Sequence, residues 1–321
     1  MWYNSFNNAL FRQNAQNFQN KGDIPMYYVL YNTLSANKQG LEYSRKLLGN
    51  AVPEDAKLVD VTSIGNYADF WASIDLENDT VVLSGGDGTL NRFVNANAGL
   101  TLPKNLFYFA SGSGNDFKKD VADGSDDLIP LHKYIDDLPT VTVNGNTSYF
   151  VNGIGYGIDG YCCEEGDKIR ATSDKPVDYT AIAIKGLLFH YKPTNAKVTV
   201  DGVTKEYKKV WIAPTMKGRY YGGGMLVTPK QDRFDPEGKV SFATLYNSSA
   251  LKTLIVFPSI FKGEHVKHTK IVEIHSGHEI TVEFDRPTAL QIDGETVLGV
   301  TSYTVKTGKT ANKKECAAAE V

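Results

Sequence analysis

The chain has 321 residues, 41% of them hydrophobic and 22% charged, and carries a formal net charge of −3. That length exceeds one comfortable core, so two domains are expected; a charge this near neutral gives no reason to expect nucleic acid as a partner. The three cysteines, two of them adjacent at Cys162 and Cys163, form neither a disulfide framework nor a zinc-site spacing, which fits a cytoplasmic protein.

The first twenty residues, MWYNSFNNALFRQNAQNFQN, are rich in Asn and Gln and lack the layout of a signal peptide. Lys21-Gly22-Asp23 reads as a purine-rich ribosome-binding sequence in the coding strand, just before Met26. Met26 is then the expected natural start, with residues 1–25 either a mis-set start or a flexible leader. No run approaches the ~18 apolar residues of a membrane-spanning helix. Strands are expected at 26–31, 56–61, 80–83 and 105–110, alternating with helices at 41–48, 67–76 and 90–98. That alternation predicts a parallel sheet with crossover helices. After about residue 140 the texture changes. VTVNGNTSYFVNG reads as a hairpin turning on Asn144-Gly145, and short alternating strands follow, bounded by Asp-Gly, Ser-Gly and Pro signals. They predict an antiparallel β domain with one helix near 178–190. The tail, 311–321, is polar and Ala-rich and is expected to be disordered.

The chemistry concentrates at two strand ends. In an open parallel sheet, ligands bind beyond the carboxyl ends of the strands. There Gly85-Gly86-Asp87-Gly88-Thr89 opens a helix, so bare backbone amides and a positive dipole end face an anion. No Walker pattern occurs anywhere in the chain. Ser111 to Phe117 forms a second small, polar turn carrying one aspartate, Asp116. Two such turns in one crevice suit a nucleoside triphosphate with magnesium, because phosphoryl transfer rests on positioning and charge neutralisation.

Four stretches taken in order resemble the diacylglycerol kinase catalytic-domain family, the bacterial lipid kinases related to sphingosine and ceramide kinases. They are GGDGTLN, GSGNDF, Gly222-Gly223-Gly224-Met225 followed by Pro229, and Ile292-Asp293-Gly294-Glu295. The resemblance implies a two-domain lipid/NAD kinase-like fold. A Rossmann-like α/β nucleotide-binding domain, 26–140 plus 296–310, would precede a β-sandwich substrate domain, 141–295. It also implies ATP and Mg2+ as cofactors and a lipid hydroxyl as acceptor, most simply that of diacylglycerol, giving phosphatidate. Gly85, Gly86, Asp87, Gly88, Thr89 and Asn91 would bind the nucleotide, with Asn32, Ser35, Thr62 and Ser113 adding contacts. Asp87 and Asp116 would join the metal through water. Glu295 would be the general base, with Asp293 beside it. A carboxylate within hydrogen-bond reach of an alcohol aids its attack, so that last role is chemically sound by itself.

The chain departs from the family in places. It has Asn32-Thr33-Leu34-Ser35-Ala36 where the family reads Asn-Pro-x-Ser-Gly. Neither Asp136 nor Asp137 aligns with the family's aspartate before the domain crossover. A structural metal of some members would fall at PKQDRFDPEGK, where Asp232, Asp235 and Glu237 are available; surface acids are the alternative. Gly155-Tyr156-Gly157-Ile158-Asp159-Gly160 matches a dinucleotide pattern only literally and reads as a glycine-rich crossing near the cleft. Two rival readings stay open, an NAD kinase and a non-catalytic nucleotide or lipid sensor. The 179–191 helix either rests on a membrane surface or packs on the β domain, with Lys168, Arg170, Lys217 and Arg219 as candidate headgroup contacts. Peripheral membrane association follows from the lipid reading; oligomeric state is open, a homodimer being one option.

Overall fold

The computed structural model describes residues 25–122, 128–173 and 177–308. Apart from Pro25, the expected leader lies outside the described residues, as does the tail. Four strands pair in parallel: β1 (Tyr27–Tyr31), β2 (Lys57–Asp60), β3 (Thr80–Gly85) and β4 (Asn105–Ala110). The order is β2-β1-β3-β4, and a short β5 (Ile129–Pro130) runs antiparallel beyond β4. All six residues of β3 are buried, as expected for a central strand covered on both faces. Leu30, Leu83, Leu90 and Phe93 pack one face, and Val29, Val82 and Leu47 the other. The direction of winding reverses between β1 and β3. The loops that follow those two strands therefore flank a crevice.

The second domain begins with the expected hairpin, β6 (Thr140–Val143) and β7 (Asn146–Tyr149). Asn144 and Gly145 turn it with φ of +49° and +80°, a mirror-image turn matched to strand twist. Then come β8 (Gly153–Tyr156), β9 (Thr194–Val200), β10 (Val203–Val210), β11 (Thr215–Met216), β12 (Tyr220–Tyr221) and β13 (Met225–Leu226). The last strands are β14 (Val240–Leu245), β15 (Val272–Gly277), β16 (Glu279–Ile292) and β17 (Glu295–Lys306). Apart from the β12-β13 ribbon, these strands and the hairpin form one ten-stranded antiparallel sheet. Val141, Phe150, Tyr156, Phe242, Val282 and Tyr303 fill its core. Among the described residues no helix is long and apolar enough to cross a membrane.

Several sequence expectations need correction. Residues 296–310 were expected to return to the first domain. Instead β17 pairs with β16 and with β6 in the second sheet. The reason is local: Asp293 and Gly294, at φ +46° and +94°, reverse the chain at once into a hairpin. Where only short strands were expected, Glu279–Ile292 is one fourteen-residue strand, whose register shift between Glu283 and Thr288 absorbs Pro287. The crossing at 155–160 opens a fifteen-residue helix, Ile158–Thr172, that the sequence did not announce. Its glycines lower helix propensity, but Gly160 lies where any Cβ would run into the Ala289 carbonyl. Helix Ala250–Val256, capped by the Ser249 side chain, was also unexpected. The 178–190 helix appears as Tyr179–Lys185 continued by a wider turn, Gly186–His190.

A buried ion pair joins the domains. Asp120, its side chain only 2% exposed, accepts from Arg219 and Arg233. Arg233 also donates to the Val151 carbonyl at 2.7 Å and to Asn152 Oδ1 at 2.6 Å, and lies over the Phe117 ring. Arg233→Met should lower the free energy of unfolding by about 3 kcal/mol, because it leaves buried acceptors uncompensated. Arg219→Met, whose side chain is 39% exposed, should cost under about 1 kcal/mol. Urea titrations of the two variants check this; equal losses would contradict the assignment.

Candidate active site

The site begins where β3 ends. Gly86 takes the N-cap position of helix Asp87–Ala96, with an extended backbone and no side chain to cover the first-turn amides. Gly112, after β4, faces it so closely that a Cβ on Gly86 would stand 3.1 Å from the Gly112 Cα. The Asn115 side chain folds the second turn, accepting from Gly112 N–H at 3.0 Å and donating to its carbonyl at 2.8 Å. Asn115 takes a left-handed conformation, φ +52°, and helix Asp116–Val121 follows. A groove runs beside these turns. One part, about 320 Å³, is lined by Ser113, Gly114, Lys118 and Lys119. The adjoining part, about 290 Å³, is lined by Gln39, Tyr43, Phe109 and Ser111. Ser113 and Asn115 line both.

Asp87 does not cap its own helix. Its carboxylate accepts the backbone N–H groups of Asp116 and Phe117, each at 2.9 Å, and the Asn152 amide at 3.0 Å. It thereby binds the second turn and the second domain to the first turn. Asp116 Oδ2 accepts Gly223 N–H at 2.8 Å, which brings in the glycine-rich loop before β13. Lys119 Nζ donates to the Gly223 carbonyl at 3.2 Å. Asp116 Oδ1 is buried and has no partner. Burial first, and then the nearby Asp87 carboxylate, push the Asp116 carboxyl up to about 6. An orphaned oxygen beside a second carboxylate fits a divalent cation shared with substrate phosphates, which is how magnesium is commonly held.

Asp293 is placed differently from its expected role. It is 7% exposed, and its oxygens accept the N–H groups of Val151 at 2.5 Å, Asn152 at 2.8 Å and Gly153 at 2.9 Å. The Asn91 amide donates a fourth bond at 2.8 Å. Burial still holds its pKa above the ordinary carboxylate value against these donors. With both oxygens so occupied, Asp293 is a positioning residue rather than a catalytic one. Two residues on, Glu295 reaches back across the cleft. Its Oε1 lies 3.2 Å from where a Cβ on Gly88 would stand, and 2.5 Å from Arg92 Nη2. Its side chain is 44% exposed, so a substrate hydroxyl can reach it.

The remaining candidates divide. Asn32 is buried and donates to Thr89 Oγ1 at 3.1 Å, and Ser35 Oγ donates to the Asn32 carbonyl at 2.8 Å. These residues hold the β1 turn against the glycine turn. Gly85 packs directly on the Thr89 side chain. Thr62 is exposed one turn after the edge strand β2, its N–H held by Asp60 Oδ1. The acids proposed for a structural metal are used in turns instead. Asp232 accepts from Phe234 N–H, Asp235 from Glu237 and Lys239 N–H, and Glu237 pairs with Lys239. Among the described residues no group of three His, Cys, Asp or Glu could hold a metal by itself. Asn152, which links Asp87 to Arg233, was missed. The only hint was a polar residue inside the apolar run Phe150 to Ile154.

Known families match the two domains in this order. A diacylglycerol kinase catalytic domain model matches residues 26–141, and a YegS C-terminal NAD kinase beta sandwich-like domain model matches 152–309. The diacylglycerol kinase of Mycobacterium tuberculosis (strain ATCC 25618 / H37Rv) is 26% identical over 230 residues, covering 67% of this chain and 70% of its own. YtlR of Bacillus subtilis (strain 168), which carries a provisional lipid-kinase name, is 24% identical over 246 residues, covering 70% of this chain and 75% of its own. A diacylglycerol kinase crystal structure from Bacillus anthracis str. Sterne shares the fold with a TM-score of 0.59 at 19% identity, covering 89% of this chain and 95% of its own.

The two acids of the Asp-Gly-Glu turn should separate in a stability measurement. Asp293→Asn should cost about 2 kcal/mol, since it turns an amide N–H₂ toward buried donors. Glu295→Gln should stay within about 0.5 kcal/mol of the parent. Denaturant midpoints check both, and an unaffected Asp293→Asn would remove its positioning role.

Proposed function

Because the chain belongs to the diacylglycerol kinase catalytic-domain family, we propose that it transfers the γ-phosphoryl group of ATP to a lipid hydroxyl, with diacylglycerol as acceptor and phosphatidate as product. The observation that carries this reading is the placement of Glu295. An accessible carboxylate stands over Gly88, in the first turn of a helix whose N-cap offers no side chain to its amides, with the Asp87–Asp116 pair in the same crevice.

Each group then has one task. The first-turn amides at Gly86 and Gly88 and the helix dipole receive phosphate oxygens. Lys119, held at the Gly223 carbonyl, adds positive charge at the groove that would take the nucleotide. Magnesium held at the unpartnered Asp116 oxygen, with Asp87 joined to it through water, would neutralise charge on the phosphates. Glu295 exchanges its bond to Arg92 for the acceptor hydroxyl and takes that proton as the oxygen bonds to phosphorus and the bond to the ADP oxygen breaks. Arg92 keeps the carboxylate aimed across the cleft until the acceptor arrives.

Purified protein with ATP, magnesium and diacylglycerol in mixed micelles should yield phosphatidate, and chelating the metal should abolish it. Glu295→Gln should lower kcat by roughly 10²-fold with little change in the KM for ATP. Sphingosine, ceramide and NAD serve as parallel acceptors. Labelled NADP, or ATP binding with no product in any reaction, would overturn the assignment.

A further inference from the structure

We propose that the outer face formed by residues 184–192 and 250–262 seats the protein on an anionic lipid bilayer. The inference rests on the lipid-acceptor reading and adds the surface by which that acceptor is reached.

The two segments pack against each other. Their inner sides are anchored in one core, where Leu187, Val256 and Ile260 are buried with Ile158 and Trp211. A helix so anchored ordinarily carries polar residues on its other side. Here the outer side is apolar. Phe189 is 77% exposed, Ile255 71% and Leu251 64%; Phe261, Ile184 and Leu188 are exposed too. Leu251 and Ile255 lie one turn apart, opposite buried Thr253 and Val256. Scattered apolar residues are normal on a surface, but a cluster from two adjoining segments marks a contact face.

The charge on that face selects the occupant. From 179 to 192 and from 249 to 263 there is no aspartate or glutamate, although the whole chain is net negative. The charges present are Lys185, Lys192, Lys252 and Lys262, all exposed and none in a salt bridge among the described residues. Apolar side chains ringed by lysines fit the headgroup boundary of an acidic leaflet, where the stems lie along the acyl surface and the ammonium groups meet phosphates. The cations expected in that role from sequence are occupied elsewhere. Lys168 pairs with Glu164 and Glu165, Arg170 with Asp167 and Arg219 with Asp120, while Lys217 is buried.

The face is also linked to the site. Helix Ile158–Thr172 packs on Tyr179–Lys185 at one side and on β16 and β17 at the other. Asp167 accepts from Thr296 Oγ1 at 2.6 Å, next to Glu295.

Vesicle flotation with the full chain, without ATP, tests the proposal. Binding to phosphatidylcholine vesicles containing phosphatidylglycerol should be at least ~10-fold stronger than to phosphatidylcholine alone. The double variant Phe189→Ser/Ile255→Ser should lose at least ~10-fold of that binding. Lys185→Glu/Lys252→Glu should erase the preference for the acidic lipid. Both variants should keep phosphoryl transfer to water-soluble dioctanoylglycerol, which needs no bilayer. A parent protein that phosphorylates dioctanoylglycerol yet ignores vesicles would overturn the docking face and leave the kinase standing. Vesicle binding with no lipid phosphorylation would do the reverse. Undiminished vesicle binding by both variants would also overturn it, and a parent dimer dissociated by Phe189→Ser/Ile255→Ser would assign the face to a second copy of the chain.

Discussion

The Asp293 carboxylate accepts three successive N–H groups, from Val151 to Gly153, together with the Asn91 amide. That one grip fixes three things at once: the hairpin carrying Glu295, the segment joining the two sheets, and the helix after the glycine turn. Asn152, held by it, passes the constraint on to Asp87 and Arg233. Buried donors of this kind are costly to leave unmade, so these bonds favour a single register between the two domains.

Four acids in one cleft illustrate how environment assigns roles. Asp293 is buried among backbone donors and holds geometry. Asp87 spends its oxygens on the neighbouring turn and on Asn152, which brings the second strand end to the first. Asp116 keeps one oxygen unpartnered, beside Asp87 and under the glycine loop. Glu295 alone is open to solvent and to a substrate. The two neighbours of Gly294 thus have opposite fates, set by the donors that surround Asp293 in the turn and by the exposure of Glu295 at the start of β17.

The hairpin that carries Glu295 and the apolar face lie on different parts of the chain, yet one helix touches both regions. Ile158–Thr172 reaches that length because glycine at 160 lets it press on the β16 backbone. The residues that lower its local propensity are the ones its packing requires, which is why sequence patterning passed over it.

The motif-bearing turns were legible because their chemistry is local. Glycine, a strand end and a following helix are read within a dozen residues, and so were β1 to β4 and the Asn144-Gly145 hairpin. By themselves the residues determined the order of the two sheets, the two glycine-rich turns at the strand ends and the candidate acids. They did not determine how those acids are used. Asp293 differs from Glu295 only through donors about 140 and 200 residues away, and β17 joined the second sheet because its hairpin bound it to β16. Contacts between distant parts of the chain carry no signal in a local pattern, so hydrogen-bond partners, burial and the joining of 184–192 with 250–262 into one outer apolar face were decided only by tertiary structure.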